Sequence, residues 1–205
     1  VGWASAGVYS FWDYYTHQIY YIGLAVDLRE RFKQHNGLVS LKSNSCKFTY
    51  INEYFKTNKK LGYTIFVQSP IAQPVTHRNK KEFEKLFVFD ASIPIDQYVG
   101  FEGQENIKYV EGILIEAFRI ATKDVPLWNQ IGGSILGQKR ATENAYYQII
   151  RAFSEFNDMN PLIARSSIRE ISNNPTYEWF ETNLHAARTE MLSYGVPFGE
   201  ALKNQ

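Results

Sequence analysis

The sequence predicts an α+β fold: a small three-stranded antiparallel sheet flanked by helices, with a helical C-terminal extension. Three observations predict it. GVYSFWDYYTHQIYYIG at 7–23 is aromatic and β-branched on both sides of a polar tip, which reads as a hairpin. YTIFVQS at 63–69 is strongly β-prone and reads as a third strand. The other regular stretches carry apolar residues at helical spacing. With 205 residues and 44% hydrophobic content, the chain is long enough for a core plus an extension.

The hairpin strands are expected at 7–12 and 18–23, around Asp13-Tyr14-Tyr15-Thr16-His17. A turn centred on Tyr15 sets Tyr9 opposite Tyr21, Gly7 opposite Gly23 and Val8 opposite Ile22. Strand alternation sends both tyrosines to one face and Val8 and Ile22 to the other. The glycines leave room for another backbone to approach.

Asp27 opens a helix, DLRERFKQH, as N-cap, with Glu30 in capping-box position, and Asn36-Gly37 closes it. Leu28 and Phe32 form its core stripe. Arg31 and His35 fall together along one edge of that stripe, while Arg29 and Lys33 point to water. Residues 45–60 predict a second helix, with Phe48, Ile51 and Phe55 on one side and Gly62 as its stop. The stretch 70–104 is less regular, with a short charged helix near HRNKKEFEKLF and proline-marked turns, and reads as an insertion.

Residues 105–122 predict a helix with the stripe Val110, Ile113, Leu114, Ala117 and Phe118. Glu116 lies on one flank of it and Glu111 on the other, and periodicity does not choose between them. Pro126-Leu127-Trp128-Asn129 ends the unit, so residues 1–130 read as the core and 131–205 as a mainly helical extension beyond the joint at Gly132-Gly133. Tyr146, Ile149, Ile150, Phe153 and Phe156 are that extension's expected core stripe.

One cysteine, Cys46, excludes an internal disulfide and any multi-cysteine zinc site. Histidines at 17, 35, 77 and 185 are too scattered for a metal cluster, so any metal would use oxygen ligands. No apolar run approaches a membrane span, and a soluble cytoplasmic protein is expected. The net charge is +1, but residues 1–60 hold eight Lys and Arg against four acids, so the positive excess lies with the hairpin. That is a mild footprint for a polyanion.

Taken in order, GVY, eleven residues, YIG, DLRERFKQH, a third strand, a helix with LIEAF and a closing PLWN resemble the GIY-YIG nuclease family over roughly residues 6–130, with the 70–104 stretch interrupting. Val8 replaces the motif isoleucine. The PLWN ending looks most like the family's type II restriction endonucleases. The resemblance implies a GIY-YIG-like core with site residues Tyr9, Tyr21, Arg31, His35, Glu116 and Asn129. Glu116 is preferred to Glu111 because it lies thirteen residues before Asn129, near the family's spacing of about twelve.

The implied activity is metal-dependent hydrolysis of phosphodiesters in double-stranded DNA, restriction-like, with a homodimer as an open option. A repair or homing nuclease of the same family, and a catalytically silent nucleic-acid-binding protein on this scaffold, are the alternatives. Glu116 would hold Mg²⁺ or Mn²⁺, because a single carboxylate with waters and substrate phosphate suits such an ion. Arg31 would stabilise charge on the phosphate. Tyr9 would act as general base or orient the water, with Tyr21 beside it. Free tyrosine titrates near 10, so Tyr9 needs a cationic neighbour; His35, Lys33 and the metal are the candidates. Asn129 would brace a helix end or a ligand.

Overall fold

The computed structural model describes residues 3, 6–40, 47–69, 101–141, 147–155 and 160–205. Three strands, β1 (Ala6–Asp13), β2 (Ile19–Ala25) and β3 (Leu61–Ser69), form one antiparallel sheet in the order β2-β1-β3. The described helices are α1 (Leu28–His35), α2 (Phe48–Thr57), α3 (Phe101–Thr122), α4 (Ile135–Ala141), α5 (Tyr147–Ser154), α6 (Ile168–Asn173), α7 (Pro175–Tyr194) and α8 (Phe198–Lys203). The α+β class, the three-stranded sheet and the helical C-terminal part match the expectation from sequence. None of the described helices is long and apolar enough to cross a membrane.

The hairpin register differs from the expected one. Tyr9 pairs with Gly23 and Phe11 with Tyr21, whereas a turn centred on Tyr15 would pair Tyr9 with Tyr21. The cause is local. Asp13 Oδ1 accepts the amides of Tyr15 and Thr16, His17 takes a left-handed φ of 59°, and the Asp13 amide donates to Gln18 O. A bulge between Phe11 and Trp12 then moves the register once more. The total offset at Tyr9 is two residues, an even number, so both tyrosines stay on one face.

Two apolar clusters lie on the two faces of the sheet. On one, Val8, Trp12, Ile22 and Phe66 meet Ile113, Leu114, Ala117 and Phe118 of α3 and Ile149 and Phe153 of α5. On the other, Tyr9, Phe11, Tyr63 and Ile65 meet Leu28 and Phe32 of α1, Ile51 and Tyr54 of α2, and Ile168 and Ile171 of α6. Of the predicted α3 stripe, Ile113, Leu114, Ala117 and Phe118 are buried and Val110 is half-buried, and the helix starts at Phe101, so 101–104 belong to it and not to an insertion. One glycine inside a long amphipathic helix costs only about 1 kcal/mol, so Gly103 does not stop it. In α2 the buried residues are Ile51 and Tyr54 rather than Phe48 and Phe55, because the Tyr54 hydroxyl reaches in to Asp13 Oδ2 at 3.2 Å. The expected short helix near 77–87, Cys46, Tyr146 and Phe156 lie outside the described residues.

Both outer edges of the sheet are closed by groups from later in the chain. At β3, Leu61 N donates to Ser167 Oγ, Tyr63 N to Ser166 O, Ile65 N to Glu181 Oε1 and Gln68 N to Thr189 Oγ1. The α7 residue Arg188 donates to Ile65 O at 3.3 Å and is ion-paired with Glu181 at 2.7 Å, both side chains fully buried. At β2, Trp128 N donates to Tyr20 O at 2.7 Å, Asn129 brackets Ile22, and Glu111 takes Leu24 N. Gly133, with φ +73°, turns the chain from this edge into α4, which lies so close to α3 that a Cβ on Gly112 would meet Ser134 O at 2.5 Å.

Candidate active site

Tyr21 leans along its own strand over Gly23. A Cβ on Gly23 would collide with the Tyr21 ring and hydroxyl, so this glycine makes space for a side chain two residues earlier, not for another backbone. Because Gly23 is opposite Tyr9, the lean carries the Tyr21 ring to Tyr9, with centroids 5.9 Å apart. Gly7 is different: a Cβ there would meet Val67 O and Leu28 Cδ1, each at 2.5 Å. That position does admit close backbone approach, as expected.

The α1 helix brings His35 to the same face. Asp27 caps it by accepting the Glu30 amide at 2.8 Å, Gly37 ends it at φ +70°, and Leu28 and Phe32 bury its stripe. His35 Nε2 and the Tyr9 hydroxyl share a hydrogen bond of 2.8 Å, and both residues are 2% exposed. Burial, aided by the fields of Arg31 and Lys47, pushes the His35 imidazole down to about 3. His35 is therefore neutral at ordinary pH and is not the cation that Tyr9 was expected to need. In the Nδ1–H tautomer its Nε2 accepts the phenol proton instead. Tyr21 is half-buried, so of the two phenols it is the one that water reaches.

Two cations act on this pair. Arg31 is half-buried at the border of the α1 stripe, as its position predicted, and its guanidinium has no ion-pair partner among the described residues. Lys47 was not singled out from the sequence. Its ammonium donates to Trp128 O at 2.7 Å and stands 5.1 Å from the Tyr21 ring centre and 5.0 Å from that of Tyr50. Burial holds it below the usual lysine range. No short-range pattern reveals it, because its partners lie far along the chain; the one hint is a lysine placed just before a helix.

Asn129 braces β2, and its two hydrogen bonds among the described residues go to Ile22 rather than to Tyr9 or Tyr21. Its Oδ1 accepts Ile22 N at 2.9 Å and its Nδ2 donates to Ile22 O at 2.7 Å, fastening the strand between the motif tyrosine and glycine. The two candidate carboxylates of α3, Glu111 and Glu116, part company. Glu111 Oε1 accepts Leu24 N at 3.0 Å, beside Gly23; burial pushes its carboxyl up to about 6, against the pull of that amide. Glu116, one turn after the glycine that packs on α4, gives both oxygens to Arg119 at 2.6 and 2.8 Å. Among the described residues no contact joins Glu116 to Tyr9, Tyr21, Arg31 or His35, and no group of three or more His, Cys, Asp or Glu side chains could hold a metal ion. Tyr9, Tyr21, His35 and Arg31 thus gather on one face, Asn129 supports them from the strand edge, and Glu116 stands apart.

Comparison with family models, with curated proteins and with solved structures finds no match to this chain.

Proposed function

We propose that the protein is a GIY-YIG-type endonuclease that hydrolyses phosphodiester bonds in double-stranded DNA, in the manner of a restriction enzyme. The observation that carries the reading is the buried Tyr9–His35 hydrogen bond beside Tyr21, flanked by an arginine with no ion-pair partner among the described residues. A half-buried guanidinium without a carboxylate suits an anionic ligand, and a fork of N–H donors suits phosphate. In this reading Arg31 takes the phosphate charge that grows in the transition state. Tyr21 orients the attacking water on the solvent side. As the water oxygen bonds to phosphorus and the bond to the leaving oxygen breaks, Tyr9 takes the water's proton and passes its own to Nε2 of neutral His35, which the phosphate charge makes a better acceptor; solvent protonates the leaving oxygen and His35 then releases its proton.

A Mg²⁺ ion, when bound, would lower the pKa of a water and neutralise phosphate charge. Glu116 would be its protein ligand, with waters and substrate phosphate completing the shell, and the Arg119 side chain that now takes both Glu116 oxygens, 52% exposed, would have to swing away first. A second reading, a DNA-binding protein that does not cut, draws on the same ion pair, because a carboxylate neutralised by Arg119 binds no metal.

Incubation of the protein with mixed-sequence plasmid in Mg²⁺ or in EDTA, followed by sequencing of the ends, tests the proposal. Mg²⁺-dependent cuts are expected. Arg31→Ala and Glu116→Gln should each lose cleavage by about 10²-fold or more, the scale of one lost transition-state contact, while Glu111→Gln keeps it. Plasmid binding without cleavage in Mg²⁺ would leave the second reading. Cleavage by Glu116→Gln but not by Glu111→Gln would move the metal ligand to Glu111.

A further inference from the structure

Lys47 occupies a position where helices avoid lysine. It is the N-cap residue of α2, where Ser, Thr, Asp or Asn ordinarily accepts an orphan amide, and it makes no side-chain cap bond. The first turn of α2 has no acidic residue either. A lysine there adds positive charge to the positive end of the helix dipole, an arrangement that disfavours the protein on its own. Local rules broken in this way mark functional positions.

The ammonium does not escape into solvent. It is half-buried, oriented by Trp128 O at 2.7 Å and by the faces of Tyr21 and Tyr50. A carbonyl and two aromatic rings orient a cation without neutralising it, and among the described residues only one of its three N–H donors is taken. Arg31 likewise lacks a carboxylate among the described residues, and both cations reach the Tyr9–His35 pair with their fields. Two cations with no ion-pair partner among the described residues thus act on one buried phenol–imidazole pair.

We propose that Lys47 is a second phosphate-holding cation of this site, taking a non-bridging oxygen of the DNA phosphodiester while Arg31 takes another. The inference rests on the nuclease reading for its role in cleavage, but the cation site itself is tested without cleavage. Lys47→Gln keeps a donor for Trp128 O and loses the charge, whereas Lys47→Arg keeps the charge.

Duplex binding is measured in EDTA across a salt series. Removing one phosphate contact should make the slope of log K against log salt shallower by about 0.9 in Lys47→Gln, with Lys47→Arg near wild type. In Mg²⁺, cleavage by Lys47→Gln should fall at least tenfold. On the wild-type protein, bound duplex should protect Lys47 from reductive methylation, read by mass spectrometry, a measurement that needs no variant to fold. An unchanged slope in Lys47→Gln, or Lys47 methylated equally with and without duplex, overturns the inference. If wild type binds and never cuts but the slope still falls, the nuclease reading fails and the phosphate contact stands. If wild type cuts and Lys47→Gln matches it in slope and rate, the nuclease reading stands and Lys47 is not part of it.

Discussion

The two edges of the sheet are closed by the same kind of group in opposite ways. At β3 a carboxylate, Glu181, accepts Ile65 N and is itself locked by Arg188 in full burial. At β2 a carboxylate, Glu111, accepts Leu24 N with no ion-pair partner among the described residues and with its side chain partly open to water. An ion pair that cannot reach solvent makes a permanent seam. A lone carboxylate pushed up to about 6 makes a seam that responds to pH. The responsive seam is the one carrying Tyr21 and Gly23, and the permanent one lies on the far side of β1.

The largest effect should come from breaking the permanent seam. Arg188→Ala leaves Glu181 charged and unpaired and strips donors from Ile65 O and Pro161 O; the expected cost is about 3–5 kcal/mol, read by denaturant melts. Adding Glu181→Leu should recover part of it. A loss below about 1 kcal/mol would mean that the pair does not hold the edge.

Asn129→Ala attacks the responsive seam. It orphans both polar groups of Ile22, so about 1–3 kcal/mol should go. Any nuclease activity should fall further than stability explains, since Tyr21 sits on the released strand. Equal losses in both would make Asn129 a brace alone.

Glu111→Gln sharpens the contrast. The folded-state carboxyl titrates near 6, above its ordinary 4.5. Its contribution to stability is therefore fully present below about 4.5 and lost as pH rises through 6. His35, pushed down from 6.5 to about 3, works the other way, losing stability as pH falls. Only the difference between wild type and variant isolates Glu111: melting temperatures should converge near pH 4.5 and favour Gln above 6. Parallel curves across that range would remove the pH response from this edge.

The smallest effect belongs to Arg119→Ala, off both edges. A solvent-exposed ion pair contributes little, so stability should barely move. If the protein cuts DNA with Mg²⁺ as proposed, the Mg²⁺ concentration for half-maximal cleavage should fall. A rise in that concentration would show Arg119 helping the ion and not competing with it.

The sheet and the α3 stripe were legible because period-two and period-3.6 patterns are short-range and each residue reports its own face. The hairpin register was not, because the bulge at Phe11–Trp12 and the left-handed His17 leave no mark on alternation. Arg31 and His35 were legible from the wheel of a single helix. The neutrality of His35 was not, since the burial of this helix residue is set by Tyr9 and Phe11 of β1. Glu181 and Arg188, seven apart on α7, read as ordinary helix charges; only a sheet edge lying over them makes them a buried pair. Lys47 was invisible for the same reason, its anchor Trp128 being 81 residues away.

The two motif glycines look interchangeable on paper, and a mutational scan would tell them apart. At Gly7 an added methyl meets the Val67 carbonyl, part of the sheet itself, so an alanine there should register as a molecule that is not made. At Gly23 the added methyl meets only the far end of the Tyr21 side chain, which can swing out. An abundance screen would pass that alanine and an activity screen would reject it. On the proposed nuclease reading, such a variant would be a folded decoy: able to occupy DNA, with its outer phenol displaced.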